Sequence, residues 1–300
     1  MLKSIHKCVI IVQQLFTVII KKGVLKMKTL KPEACYVIDY SITSNFVQDA
    51  YKNNSTVTGI VTDIDEENRR VIVCLGESLN AEMPWEEATI YNLETRRTPG
   101  KIPHPIAGIK YKKIRAKVKA IKSDGTIVLS RRDNMLEAWE TVVNSYKQHT
   151  YTASVIGYYH SGVFYDIGEG ICAFCYVKEH SMCRVDIIKW VKLNDMAEVK
   201  IMGEPCMEED YKIYCSRKLA SDLTYYDYKV GQVVLVRVSN PVYRGKEITG
   251  FFVEIAPNVS GIADYLRDTI PVHNGDYVRA VINRINPEVK RMHLNILNKA

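Results

Sequence analysis

From Thr56 to Ile296 the chain repeats one pattern of short strands three times. A period of about 75 residues is too long for a solenoid unit and suits a small closed barrel. Each copy opens on a strand: Thr56 to Val61, Thr150 to Gly157 and Val230 to Val238. Each closes on another: Thr126 to Arg131, Tyr211 to Arg217 and Arg291 to Ile296. Three barrels in tandem on one chain of 300 residues imply an extended ligand or partner.

Composition supports a folded chain. Hydrophobic residues make up 47% of it, and 16 Gly and 10 Pro are too few for a disordered one. The formal charge of +7 invites a polyanionic partner. Five of those charges, however, are Lys3, Lys7, Lys21, Lys22 and Lys26, in an opening stretch that has no Asp or Glu. Beyond it, 36 basic residues face 34 acidic ones, so any positive surface must come from local clustering. The apolar centre of that stretch, Cys8 to Ile20, falls short of the roughly 20 residues that span a bilayer. No small-residue cleavage site follows it, as an export signal requires. Met27 is the expected start, with residues 1–26 a non-native extension and an anchor or signal as the alternatives. N-terminal mass analysis of the natural protein decides: a peptide from within residues 1–21 removes the idea. The eight cysteines sit mostly in apolar strand-like runs without disulfide-framework spacing, which fits a reducing, cytoplasmic setting.

The expected organisation is mainly β, with three five-stranded OB-type barrels and one connecting helix. A lead-in covers 27–52 and the first barrel 53–132. The helix covers 133–149, with Met135, Leu136, Trp139, Val142, Val143 and Tyr146 as its apolar stripe and Asp133 as its cap. The second barrel covers 150–219, a linker 220–228 and the third barrel 229–300. The long segment from Ala88 to Gly108 holds Pro99, Gly100, Pro103 and Pro105 and reads as a loop.

Ser161 to Gly168, followed by Gly170 to Cys175, resembles the core of the repeat of the small-subunit ribosomal protein S-one family. The third copy answers with Gly250 to Ile255, Val259 to Ile262 and Gly275 to Ile282. The first answers with Arg70 to Leu75 and Ile127 to Arg131. The likeness covers most of Asn53 to Leu297. It implies OB-type barrels that bind single-stranded RNA, messenger RNA above all, with the small ribosomal subunit as a further candidate partner. It also implies that the leading barrel docks on protein.

Strand chemistry agrees with that implication. Alternate residues of a barrel strand face outward. Outward rings stack unpaired bases while basic side chains track phosphates. In the second barrel the candidate RNA-binding residues are Phe164, Phe174 and Tyr176, with Tyr158, Tyr159 and His160 in the adjoining loop. Phe164 and Phe174 match aromatic positions of the family's face, and Arg217 its basic position. Arg131 closes the first copy as Arg217 closes the second. Either phenylalanine has a plain alternative as core. In the third barrel alternation lets only one of Phe251 and Phe252 face outward, and Phe252 is favoured. Tyr243, Arg244 and Lys246 form a candidate phosphate grip in the preceding loop, with a solvated loop tip as the alternative. The first barrel lacks rings on its second strand. Its Lys113, Arg115, Lys117 and Lys119 share one face opposite Ile114, Ala116 and Val118. That face reads either as a phosphate track, through Lys113 and Arg115, or as an ordinary solvated one.

Cys172, Cys175, His180 and Cys183 approach a zinc-knuckle spacing, but the last gap is short and the glycines are missing. Buried structural thiols are expected there, with no metal. No phosphate loop, triad or carboxylate pair is evident, so no enzyme, cofactor, small-molecule substrate or membrane partner is expected. The competing reading is a protein-docking or structural barrel module with little RNA affinity. The near-balanced charge after Lys26 favours it.

Overall fold

A computed structural model describes residues 30–77, 79–93, 104–183, 185–208, 211–264 and 271–300. The expected extension at 1–26 and the middle of the proline-bearing loop lie outside the described residues. Three closed five-stranded barrels make up most of what is described. The first is built from β1 (Thr56–Asp65), β2 (Arg70–Gly76), β3 (Leu79–Pro84), β4 (Lys113–Ile121) and β5 (Ile127–Ser130). The second uses β6 (Thr150–Tyr159), β7 (Gly162–Asp166), β8 (Cys172–Tyr176), β9 (Met196–Cys206) and β10 (Lys212–Ser216). The third uses β11 (Val233–Arg244), β12 (Glu247–Ala256), β13 (Val259–Asp264), β14 (Tyr277–Asn286) and β15 (Arg291–Lys299).

Each barrel closes the same way. The first strand pairs with the second and fourth, and the third lies parallel to the fifth. Alternation drives closure. In β1 as far as Val61, and in β2 as far as Leu75, every second residue is buried, and Val57, Val61, Val71, Val73 and Leu75 fill the barrel. The expected inward set Ile114, Ala116 and Val118 is buried on β4. Between the first two barrels runs α1 (Arg131–Ser145). Its Met135, Ala138, Trp139 and Val142 belong to the second barrel's core cluster, whereas Val143 faces solvent. Ser130, not Asp133, caps this helix: its Oγ accepts from the Asp133 N–H at 3.0 Å. Among the described residues no helix is long and apolar enough to cross a membrane.

The N-terminal segment is a wedge between barrels rather than a passive lead-in. The Glu33 carboxylate takes both arms of Arg131 at 2.7 Å, and the Glu33 N–H donates to Asp166 at 2.7 Å. Glu169 accepts from Arg115, from the Tyr36 hydroxyl and from Asn134 at 2.6, 2.6 and 2.7 Å. Gly170, at φ +82°, is required here, because a Cβ would lie 2.0 Å from the Arg131 guanidinium. Burial and Glu169 push the Tyr36 hydroxyl up to about 12. Burial and the Glu33 carboxylate push Asp166 up to about 7, against the pull of the Glu33 and Gly168 N–H donors and of Arg131.

The second and third barrels are also fixed to each other. Trp190 donates through Nε1 to the Val238 carbonyl at 2.9 Å, and the Met182 N–H to the Pro257 carbonyl at 2.9 Å. Asn258 donates to the carbonyls of Lys218 and Ser221. Arg217 bridges the seam, donating to the His180 carbonyl at 3.0 Å and to Glu254 at 3.3 Å.

His180 is buried in this seam beside Tyr165, Arg217 and Arg237, with Asp195 lining the same cavity. Burial, then the two guanidiniums, hold its imidazole well below the usual histidine range. The folded chain keeps it neutral, while the unfolded chain takes up a proton near pH ~6.5. Stability is therefore lost as pH falls below that value, by at most ~1.4 kcal/mol per pH unit. Asp166 acts oppositely: its raised folded value adds stability as pH falls through about 7. The His180 contribution is isolated by comparing urea unfolding of the wild type with His180→Gln between pH 8 and 5. The wild type should lose more stability than the variant on the acid side. Parallel curves would contradict a neutral buried imidazole.

Candidate functional site

The parallel pairing of the third and fifth strands creates an outward row of three side chains in every barrel. In the second barrel the register places Phe164 opposite Phe174, and Phe174 opposite Tyr214. In the third it places Phe252, Ile262 and His293 in the same row. In the first the row is Ile72, Glu82 and Val128. One topological position thus carries three rings, then one ring with an imidazole, then a carboxylate between two aliphatics.

The second barrel's row grows into a five-ring cluster. Tyr159, from the end of β6, stacks on Phe164 and Phe174 at centroid distances of 5.7 and 5.6 Å. Phe164 and Phe174 are 4.8 Å apart. Tyr176 stacks on Tyr214 at 5.4 Å and meets Phe174 edge-on at 4.9 Å. Gly162 makes room for this packing, since a Cβ there would lie 2.5 Å from the Phe174 ring and 2.3 Å from the Cys175 carbonyl. Cations flank the rings. Lys212 Nζ lies 5.3 Å from the Tyr214 centroid and Lys178 Nζ 5.8 Å from that of Tyr176. His160 is exposed at the β6–β7 turn. Tyr176 is 40% exposed, but Phe164 only 6%. Phe164 points outward as expected, yet Tyr159 and Phe174 pack against it, so it is a floor for the other rings rather than a stacking surface.

In the third barrel Phe251 is 4% exposed and Phe252 44%, the division that alternation requires. Phe252, Ile262, Lys290, Arg291 and His293 line an open groove of about 400 Å³. Tyr243, Arg244 and Lys246 are exposed at the β11–β12 hairpin.

Four expected ligand-binding cations are instead structural. Arg131 is buried against Glu33. Arg115 is held by Glu169 and stacks 4.1 Å over Tyr36. Lys113 donates to the carbonyls of Ala34 and Tyr36 at 2.9 Å. Arg217 is committed to Glu254 in the seam. Lys117 and Lys119 pair with Glu137 and Glu87. The basic face of β4 is neutralised by carbonyls of the wedge, by Glu137 of α1, by Glu87 after β3 and by Glu169 of the second barrel. Glu82, at the centre of the first barrel's row, is held below the ordinary carboxylate range by Lys122 and Arg70, so it stays ionised.

Tyr214, Ile262 and His293 complete the rows and were not among the sequence candidates, whereas Tyr159, expected in the adjoining loop, joins the cluster from the end of β6. Tyr214 alternates with buried Ile213 and Cys215, which marks it as outward. Its place beside Phe174 depends on a non-local strand pairing.

No family model matches the chain, and no curated protein matches it. Among solved structures, the crystal structure of a multidomain protein with nucleic acid binding domains from Streptococcus pneumoniae TIGR4 aligns over 82% of this chain and 74% of that one. Identity is 13% and the TM-score 0.29, too low to carry an argument about arrangement or ligand.

Proposed function

We propose that the chain is a single-stranded RNA-binding protein that holds unpaired bases on the outward rows of its second and third barrels. The observation that carries this reading is the repeated row. The same ladder position bears Phe164, Phe174 and Tyr214 in one barrel and Phe252, Ile262 and His293 in the next, each with cations beside it. Rings accept any base, so sequence preference should be weak. The resemblance to S-one repeats points the same way. It further implies messenger RNA as the ligand, a role in translation, the small ribosomal subunit as a partner and a cytoplasmic setting. In this reading the protein binds without catalysing.

Fluorescence anisotropy of a labelled oligouridine against the full chain tests the proposal. Affinity should fall linearly with the logarithm of salt. With Lys178, Lys212, Lys290 and Arg291 as the phosphate contacts, the slope should be about −3. No binding at low salt would sink it. That outcome would favour the docking reading, which the acid-centred row of the first barrel and its internally paired cations support for that barrel.

A further inference from the structure

The seam between the second and third barrels encloses a cavity of about 200 Å³, lined among others by Tyr165, His180, Asp195, Arg217, Arg237 and Tyr277. None of the ring-row residues borders it. A water molecule takes about 30 Å³ of liquid, so a small polyatomic ion fits. Arg237 is fixed in advance: its guanidinium lies 4.6 Å from the Trp190 ring centroid and 5.2 Å from that of Tyr277, and it donates to the Trp190 carbonyl. Among the described residues its ion-pair carboxylate is Asp195, at 3.9 Å and partly exposed, which is a loose pairing, and Glu254 is its cross-strand neighbour. Arg217 is balanced by Glu254, which does not line the cavity.

His180 supplies a second, independent observation. It is 3% exposed, and its Nε2 has no hydrogen-bond partner among the described residues. Its Nδ1 lies 3.2 Å from the Tyr165 hydroxyl. A buried hydroxyl proton needs an acceptor, and Nδ1 is the one at hand, which leaves Nε2 carrying the ring proton as an unanswered donor. Two guanidiniums and a lone N–H around one polar cavity form a donor set that suits an oxyanion. Those donors come from three separate elements, which fits a tetrahedral group better than a planar carboxylate.

We propose that this cavity binds a phosphate group, with Arg237 as its principal partner, the His180 N–H as a second donor and Arg217 as a flanking charge. The site does not depend on the ring rows binding RNA. It is tested by calorimetric titration of the full chain with inorganic phosphate at constant ionic strength. One saturable site is expected. Arg237→Gln should weaken it by roughly tenfold or more, while Arg237→Lys keeps part of the affinity. Should Arg237→Gln fail to fold, Asp195→Asn serves: removing the lining carboxylate from a partly exposed position should tighten phosphate severalfold. A second arm compares short oligonucleotides with a 5′-phosphate and a 5′-hydroxyl. A phosphate advantage that Arg237→Lys reduces assigns the site to a nucleic-acid end. Equal affinity, with saturable inorganic phosphate, assigns it to the free ion. The absence of saturable phosphate binding to the folded wild type in both arms overturns the proposal, as does binding that Asp195→Asn and Arg237→Lys leave unchanged.

Discussion

Replacing Phe174 and Tyr214 together by alanine should lower affinity for unpaired pyrimidine RNA by about 30-fold or more. Base stacking on a protein ring contributes ~1–3 kcal/mol per base. Two rings at the low end of that range give about 2 kcal/mol, and each ~1.4 kcal/mol is tenfold. The rings touch their neighbours, so the single substitutions will not add. Phe252→Ala in the third barrel should cost less, because that row has one exposed ring and an imidazole. Glu82→Gln in the first barrel is the matched control: it removes a carboxylate from the corresponding row and should leave affinity unchanged or slightly higher. Anisotropy titrations of the three variants, with circular dichroism to show that the barrels persist, check the set. Equal losses in all three would mean that the rows have no special role.

Arg131→Ala should destabilise the junction of the first two barrels by about 3–5 kcal/mol, the usual result of breaking a buried ion pair from one side. The cause is electrostatic. Glu33 and Asp166 are both buried, and Arg131 supplies the positive charge between them. Without it Glu33 keeps a buried charge with no counter-ion, and Asp166, already pushed up to about 7, is driven further towards its neutral form. Arg131→Ala with Glu33→Ala should recover part of the loss, because the stranded charge goes too. Urea unfolding followed by Trp139 fluorescence, in a background with Trp85 and Trp190 replaced by phenylalanine, reports on this junction. A loss under 1 kcal/mol, or strictly additive variants, would show that the wedge is ornamental.

Much of the fold was written locally. The three-fold strand pattern marked fifteen strands as three barrels, and alternation alone divided Phe251 from Phe252 and Ile114 from Lys113. What escaped was set by contacts distant in sequence. The outward cations of β4 are neutralised by Glu87, Glu137 and Glu169, and Lys113 by backbone carbonyls of the wedge; no local pattern announces those partners. Arg131 and Arg217 follow the last strand of their barrels as expected but fall into junctions, where burial commits them to Glu33 and Glu254. Tyr214 and His293 join the outward rows only through the parallel pairing of third and fifth strands, which links segments about 40 and 30 residues apart. Phe164 was read correctly for its face and wrongly for its exposure, because the Tyr159 ring that covers it comes from the neighbouring strand.

Photocrosslinking of a thiouridine-substituted, unstructured RNA to the full chain, with the attached peptides mapped by mass spectrometry, bears most directly on where a strand lies. Crosslinks should fall on peptides containing Tyr159, Phe174, Tyr176 and Tyr214, with a second set around Phe252 and His293, and should be lost when Phe174 and Tyr214 are replaced. Crosslinks confined to the first barrel, or undiminished in that variant, would contradict the assignment of the ring rows as the RNA surface.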